Sequence, residues 1–272
     1  MNLLEILTKK KLLREGIEDP SILKCIFFAG GPGSGKSHIA GDLFNIPVDL
    51  PLSSYGLKLI NSDYEFEFLL KKSNISLDLS KLQPDEFNKL TSGPDSLRTK
   101  ARELTKKKLE LYKQSKLGLI LDGTGDSIES IQLRKRSLYM TGYDSFMIFV
   151  NTSLEVALER NKKRERVLPD ELVKQLWDKC QQNIGHYQNL FGSNFRVIDN
   201  SNIEGIHKSV IKSVIEFLRT PVKNPIGKRW VDNYYKLSNV VNNTPKPNDY
   251  DDDVYDKLYP EPKPKQKVKV DK

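Results

Sequence analysis

Five short hydrophobic runs interrupt an otherwise polar chain: KCIFFA (24–29), GLKLIN (56–61), LGLILDG (117–123), FMIFVN (146–151) and FRVIDN (195–200). Their length and their content of branched and aromatic residues predict strands. LGLILDG is nearly unbroken, as expected of a strand buried on both faces. Between the runs, apolar residues recur at helical spacing. IAGDLF follows the first run, and Tyr64 to about Lys72 follows the second. Residues 96–116 form a long predicted helix, and a shorter one lies around 127–140. SLEVALERNKKR (153–164) opens with a capping serine, Ser153. The stretch after Pro169 reads as a further helix with proline at its entrance. IEGIHKSVIKSVIEFLR (203–219) closes the series. Strand and helix thus alternate about five times, which predicts an α/β fold: a mainly parallel sheet with helices on both faces.

The flanks have a different character. Residues 1–16 read as an amphipathic helix stopped by Gly16 and Pro20, so an N-terminal helix is assigned to 1–20 and the compact domain to 21–220. Asn74, Pro84, Gly93 and Pro94 make 73–95 a turn-rich insertion. Residues 221–240, with Trp230, Tyr234 and Tyr235, read as a docking segment. Residues 241–272 hold five of the 14 prolines, an acidic cluster at Asp249, Asp251, Asp252 and Asp253, and a lysine-rich end. Such a tail buries too little apolar surface to order itself and is a candidate docking site for a protein partner.

Composition narrows the classes. The 272 residues carry 44 Lys+Arg against 36 Asp+Glu, a net charge of +8 that permits attraction to phosphates. The tail's acidic and basic residues balance, so this charge belongs to the folded part. No stretch approaches a membrane span, and the N-terminus lacks the apolar core of a signal peptide. Two cysteines, Cys25 and Cys180, cannot make a disulfide framework or a four-ligand zinc site, and both read as packing residues. The expected compartment is cytoplasmic.

The first strand runs into Gly30-Gly31-Pro32-Gly33-Ser34-Gly35-Lys36-Ser37, a full match to G-x-x-x-x-G-K-[ST]. Glycines let successive N–H groups turn inward around phosphate oxygens. The helix that follows adds the positive end of its dipole. Lys36 reaches the β and γ phosphates, and the Ser37 hydroxyl ligates Mg²⁺. With a strand before it and a helix after it, the motif predicts a three-layer P-loop NTPase fold binding ATP and Mg²⁺.

Further polar positions lie where strand ends meet the ligand crevice. The second strand ends in Asn61-Ser62-Asp63-Tyr64, where a carboxylate could take the proton of an attacking hydroxyl or a polar residue could cap the next helix. The third ends in Asp122-Gly123-Thr124, where an aspartate can organise Mg²⁺ or form a turn. Arg160 and Arg164 share a helix face and Arg166 follows, so a basic lid over a transferring phosphoryl group is one reading and a solvated helix end another.

Taken in order, GGPGSGKS, INSD, LILDGT and ERNKKRERVLPDELV resemble the P-loop kinases grouped around zeta toxins and bacteriophage-type polynucleotide kinases, over roughly residues 22–200. The resemblance implies an ATP-dependent phosphotransferase. It implies Asp63 as general base, Lys36 and Ser37 on the nucleotide and its Mg²⁺, and Arg160 and Arg164 as lid arginines. Asp122 matches the acidic position after the third strand. His38 and Arg166 join residues 30–37 in the candidate nucleotide-binding set. Two departures concern the acceptor. No arginine follows Asp63 at the spacing seen in polynucleotide kinases, and the 73–95 insertion has no counterpart. A polynucleotide 5′-hydroxyl, a nucleotide-sugar and a nucleoside all remain candidate acceptors. An ATP-binding switch, or a nucleic-acid-stimulated ATPase without a phosphoryl acceptor, is the alternative.

The remaining polar residues read blandly. His186 and His207 sit in helical stretches without ligand spacing. Arg98, Lys100 and Arg102 face either solvent or a substrate phosphate. Trp177 and Trp230 read as packing anchors.

Overall fold

The computed structural model describes residues 19, 21–44, 46, 56–201 and 208–243. The N-terminal helix expected over 1–16, His207, the first residues of the helix expected over 203–219 and the segment from 244 onward lie outside the described residues. The chain divides into two compact units, Met1–Val231 and Asp232–Lys272.

Five strands form one parallel sheet in the order β2-β3-β1-β4-β5. They are β1 (Lys24–Ala29), β2 (Lys58–Ile60), β3 (Leu119–Asp122), β4 (Asp144–Asn151) and β5 (Phe195–Asp199). The α helices are α1 (Lys36–Phe44), α2 (Ser62–Lys72), α3 (Pro84–Thr91), α4 (Leu97–Gln114), α5 (Ile128–Met140), α6 (Leu154–Lys162), α7 (Asp170–Phe191), α8 (Lys208–Arg219) and α9 (Pro225–Asn243). The alternation expected from the hydrophobic runs is therefore the observed order, and the sheet is parallel throughout. Among the described residues no helix is long and apolar enough to cross a membrane.

Every residue of β1 is buried, because alternate side chains feed two cores. Ile26 and Phe28 point into one core with α1 and α8, where Phe28 meets Phe44 edge to face. Cys25, Phe27 and Ala29 point into the other with α5 and α7, where Phe27 meets Phe191. A third cluster lies away from the central strands. Phe66 and Leu70 of α2, Leu79 of the insertion, Ala101 of α4, Ala157 of α6, Leu168 of the loop before α7 and Val173 of α7 build it.

That third cluster explains the insertion. Residues 73–95, expected to be turn-rich, contain a 3₁₀ turn (Leu79–Lys81) and all of α3. The start of α3 is specified locally: Pro84 occupies its first turn, and the Gln83 N–H donates to Glu86 Oε2 at 3.1 Å. Phe87 and Leu90 then turn its apolar side onto the third cluster.

At its N-terminal end the central strand β1 begins with a buried charge that hydrophobic patterning does not signal. Lys24 Nζ donates to Asp144 Oδ2 at 2.8 Å and lies 4.9 Å from the Phe217 ring centre. Burial pushes the Lys24 ammonium below its ordinary pKa, and Asp144 offsets part of that cost. Asp144 also accepts the N–H groups of Lys223 and Asn224, at 2.8 and 2.9 Å. Trp230 and Val231 pack against the second core.

Candidate active site

The strand registers decide what meets at the sheet's C-terminal edge. Ile60 is level with Leu121, and Phe28 with Asp122, so the residues after β1, β2 and β3 emerge side by side. The loop of residues 30–35 leaves β1 there and enters α1. Gly33 has φ +76°, and a Cβ on it would collide with the Ala157 backbone of α6. Gly35 has φ +85°, and a Cβ there would run into the Asn200 amide. Only glycine satisfies both demands. The loop is fixed from behind by the Gly30 N–H donating to Thr124 O at 3.0 Å and by Asn200 Nδ2 donating to Ser34 O at 2.8 Å. Gly31 lies against Trp177, whose indole N–H donates to Thr152 O at 2.8 Å. Lys36 Nζ donates to Gly30 O at 2.6 Å and Gly31 O at 3.3 Å, which holds its ammonium across the mouth of the cradle.

Ser37 and His38 occupy the exposed first turn of α1. His38 Nδ1 lies 3.2 Å from Asp42 Oδ2, and both side chains are largely solvated. This pair sits on the outer face of the helix rather than on the loop.

After β2 the capping and acid roles separate. Asn61 is the cap of α2: its Oδ1 accepts the Asp63 N–H at 2.7 Å, while its Nδ2 donates to Asp122 Oδ2 at 2.8 Å. The Asp63 side chain is left to form ion pairs. Arg98 Nη1 reaches Asp63 Oδ1 at 2.7 Å, and Arg166 Nη2 reaches Oδ2 at 2.8 Å. Burial pushes the Asp63 carboxyl up, but Arg166, Arg98 and Lys36 outweigh it and hold the pKa at about 2. Asp122 goes the other way. Burial and the nearby Asp63 charge raise it to about 6, against the pull of Lys36, Arg164 and the Asn61 amide. Thr124 Oγ1 donates to Asp126 Oδ1 at 2.5 Å and so closes the turn after β3.

Arg160 stands in the last turn of α6, but the helix expected over 153–164 ends at Lys162, so Arg164 and Arg166 lie in the loop before α7 rather than on a helix face shared with Arg160. Asn161 is fully buried and clips Leu168 with both ends of its amide, donating to Leu168 O at 2.8 Å and accepting its N–H at 3.2 Å. The insertion grips the same loop, because the Leu79 N–H donates to Val167 O at 3.0 Å. Arg166 is 7% exposed, and besides Asp63 its Nε donates to Glu67 Oε1 at 3.0 Å. Arg164 is pushed below its ordinary pKa, first by burial and then by Arg166, while Asp63, Glu67 and Asp122 pull it back. Arg160 lies by the cradle, with Nη1 3.5 Å from where a Gly35 Cβ would stand. Of the lid arginines, Arg160 therefore attends the loop, Arg164 feels both carboxylates, and Arg166 is engaged by Asp63 and Glu67.

Three residues here are not assigned to the site by sequence. Arg98 reads there only as a solvated or phosphate-facing side chain, yet it pairs with Asp63, supplying from α4 the arginine missing just after Asp63. Asn161 and Asn200 are amides whose only signals are position: one between two lid arginines, the other just after the last strand.

The cradle fits a nucleoside triphosphate with Mg²⁺ on structural grounds. Ser34 Oγ, Asp122 Oδ1 and Arg160 Nη1 are buried side-chain atoms without a protein partner. Such atoms each cost about 1–3 kcal/mol when left unpaired, and three of the five found among the described residues lie around the one glycine loop, an arrangement that suits a polar ligand. Among the described residues no three acidic, His or Cys side chains gather as a metal cage. Mg²⁺ usually takes one or two protein oxygens and completes its shell with phosphate and water.

A parallel β2-β3-β1-β4-β5 sheet with G-x-x-x-x-G-K-S between β1 and the first sheet-covering helix defines a P-loop NTPase fold. The AAA_33 family model, an AAA domain, matches residues 25–185, and the chain belongs to that family. This agrees with the P-loop resemblance drawn from the four sequence segments. No curated protein matches the chain. Among solved structures it is similar to a candidate kinase from Chloroflexus aurantiacus, with 15% identity, 71% of this chain and 97% of that chain covered, and a TM-score of 0.49. It is also similar to a chain of the AvrRxo1-ORF1:-ORF2 complex with ATP, with 14% identity, 75% and 64% covered, and a TM-score of 0.49. A chain of the PezAT toxin–antitoxin system of Streptococcus pneumoniae shows 13% identity, 89% and 95% covered, and a TM-score of 0.45.

Proposed function

We propose that this protein is a kinase that moves the γ-phosphate of ATP to the hydroxyl of an acceptor: a polynucleotide 5′-end, a nucleotide-sugar or a nucleoside. The observation that carries this reading is Asp63. It is an ionised carboxylate at the C-terminal edge of the sheet, electrostatically coupled to Lys36 and held between an arginine of α4 and one of the lid loop. A nucleotide sensor has no need of such a group.

In this reading the amides of residues 30–35 and Lys36 hold the triphosphate, and Ser37 and Asp122 face its Mg²⁺. The cation neutralises charge on the phosphates. Arg160 and Arg164 stabilise the negative charge that spreads over the transferring group. His38 stays at the edge of the nucleotide set, and Arg166 serves it only by leaving Asp63. Asp63 orients the acceptor hydroxyl. As the new O–P bond forms and the β–γ bridge breaks, the attacking oxygen becomes strongly acidic and gives its proton to Asp63. A carboxylate at about 2 is a weak base toward a free alcohol, so proton transfer comes late and positioning comes first. Tail residues 249–253 and 263–269 remain candidate contacts for a protein partner.

The test is transfer from γ-labelled ATP with Mg²⁺ to a 5′-hydroxyl oligonucleotide, a UDP-sugar and a nucleoside mixture, for wild type and Asp63→Asn. Expected is label on one acceptor, with transfer by Asp63→Asn reduced about 10²-fold or more and ATP binding retained. Label appearing only as free phosphate, unaffected by the substitution, would overturn the kinase reading in favour of an ATPase or switch.

A further inference from the structure

Helix α2 is sorted into stripes. Phe66 and Leu70 face the third core, and Asp63 and Glu67 face Arg166. Tyr64 and Phe68 form the stripe opposite the core, one turn apart, and are 45% and 60% exposed. A single exposed ring is ordinary; two on one face, adjoining a candidate reaction centre, are not. Tyr64 belongs to that centre electrostatically. Burial raises its phenol pKa, and so do Asp122, Glu67 and Asp63. The basic side is supplied by α4. Arg98, which touches Asp63, also lies 5.2 Å from the Phe66 ring centre. Arg102, one turn further along the same helix face, has no carboxylate partner among the described residues.

We propose that Tyr64 and Phe68 form a ring-binding platform beside Asp63, and that they select an acceptor carrying a nucleobase and a phosphate over one carrying a phosphorylated sugar alone. The inference rests on the kinase reading above and assigns specificity residues within it. The two α-carbons lie about 6 Å apart along the helix axis, a span suited to one planar base. A base stacked there leaves its sugar hydroxyl on the Asp63 side and its phosphate toward Arg102. Stacking tolerates any base, because every base has a π face, so the platform sets substrate class rather than sequence.

The experiment uses the full chain, saturating ATP and Mg²⁺, and two matched acceptor pairs. One pair is a 5′-hydroxyl thymidine trinucleotide and the same trinucleotide with an abasic 5′ residue. The other is a UDP-sugar and the corresponding sugar 1-phosphate. Wild type is expected to show a KM about tenfold lower for the base-bearing member of the pair it uses. Tyr64→Ala should erase that difference by raising the KM of the base-bearing acceptor alone, with kcat and the ATP KM within about twofold. Tyr64→Phe should restore it, and Phe68→Ala should act in the same direction. Equal use of both members of a pair, or kinetics untouched by Tyr64→Ala, overturns the platform and leaves the kinase intact. An altered oligomeric state of Tyr64→Ala by light scattering, with unchanged kinetics, overturns it in favour of a contact between chains. Phosphorylation of neither pair by wild type while a nucleoside is phosphorylated overturns the platform's choice of a phosphate-bearing acceptor and leaves the kinase reading. No transfer to these four compounds or to a nucleoside mixture, with ATP turnover indifferent to all of them, overturns both.

Discussion

Eight consecutive residues, 30–37, make nearly all of the phosphate cradle, whereas the group around Asp63 is assembled from α2, α4 and the lid loop. The two halves of the site share an edge of one sheet but differ in what holds them. The cradle is a backbone object. Its conformation follows from glycines at positive φ, and its supports are two single hydrogen bonds, one accepted by the Thr124 carbonyl and one donated by the Asn200 amide. The Asp63 side is a side-chain object, in which two arginines from distant elements meet one carboxylate above the third hydrophobic cluster. A backbone object survives most changes around it. A side-chain object depends on the packing that brings its members together, so substitutions far from Asp63 should reach it.

The sharpest break between the halves is Lys36→Ala. It should lower turnover about 10³-fold or more while leaving the fold intact, as read by phosphate transfer and thermal unfolding. Arg98→Ala probes the other half. Removing one positive partner lets the Asp63 pKa rise from about 2, so the acid limb of kcat/KM should move up by about one pH unit, with the ATP KM unchanged. Lys100→Ala, on the exposed flank of the same helix, is the control and should leave the profile where it is.

Two stability measurements sharpen the contrast. Asn161→Ala removes both hydrogen bonds that clip Leu168 and should cost about 1–3 kcal/mol in urea unfolding, loosening the lid loop and weakening acceptor binding more than ATP binding. Asp122→Asn should stabilise the protein at pH 7.5 by about 1–3 kcal/mol. The sign follows from its raised pKa. Between the ordinary 3.8 and the folded value of about 6 the native state holds more protons, so stability falls as pH rises through that window. The gain from the amide should therefore shrink as pH falls below 6, and it should come with slower Mg²⁺-dependent transfer.

The same contrast explains what can be read from the chain. The five strands, their parallel arrangement and the cradle follow from contiguous patterns: apolar runs, helical spacing and one glycine-rich motif. Asp63 and Asp122 are visible because one opens the helix just after β2 and the other ends β3, where polar side chains meet the crevice. Arg98 is not, because its partner is 35 residues away and an arginine on a helix looks the same whether it faces water or a carboxylate. The insertion misleads for a related reason. Pro84 reads as a breaker, although in a first turn it starts a helix, and the apolar face of α3 makes sense only against α2 and α4. Lys24 escapes notice because an aliphatic stem with one charge fits a strand pattern, and nothing local announces the Asp144 that neutralises it.

Asp144 has a bearing on how this protein can be cut and recombined. Composition changes after Arg219, and a designer grafting the catalytic body onto another scaffold would place the junction there. That junction would discard the amides of Lys223 and Asn224 and leave the carboxylate with Lys24 alone, at the root of the strand whose other end carries the cradle. A portable version of the body keeps Lys223 and Asn224, whose amides help to fasten its first strand through Asp144.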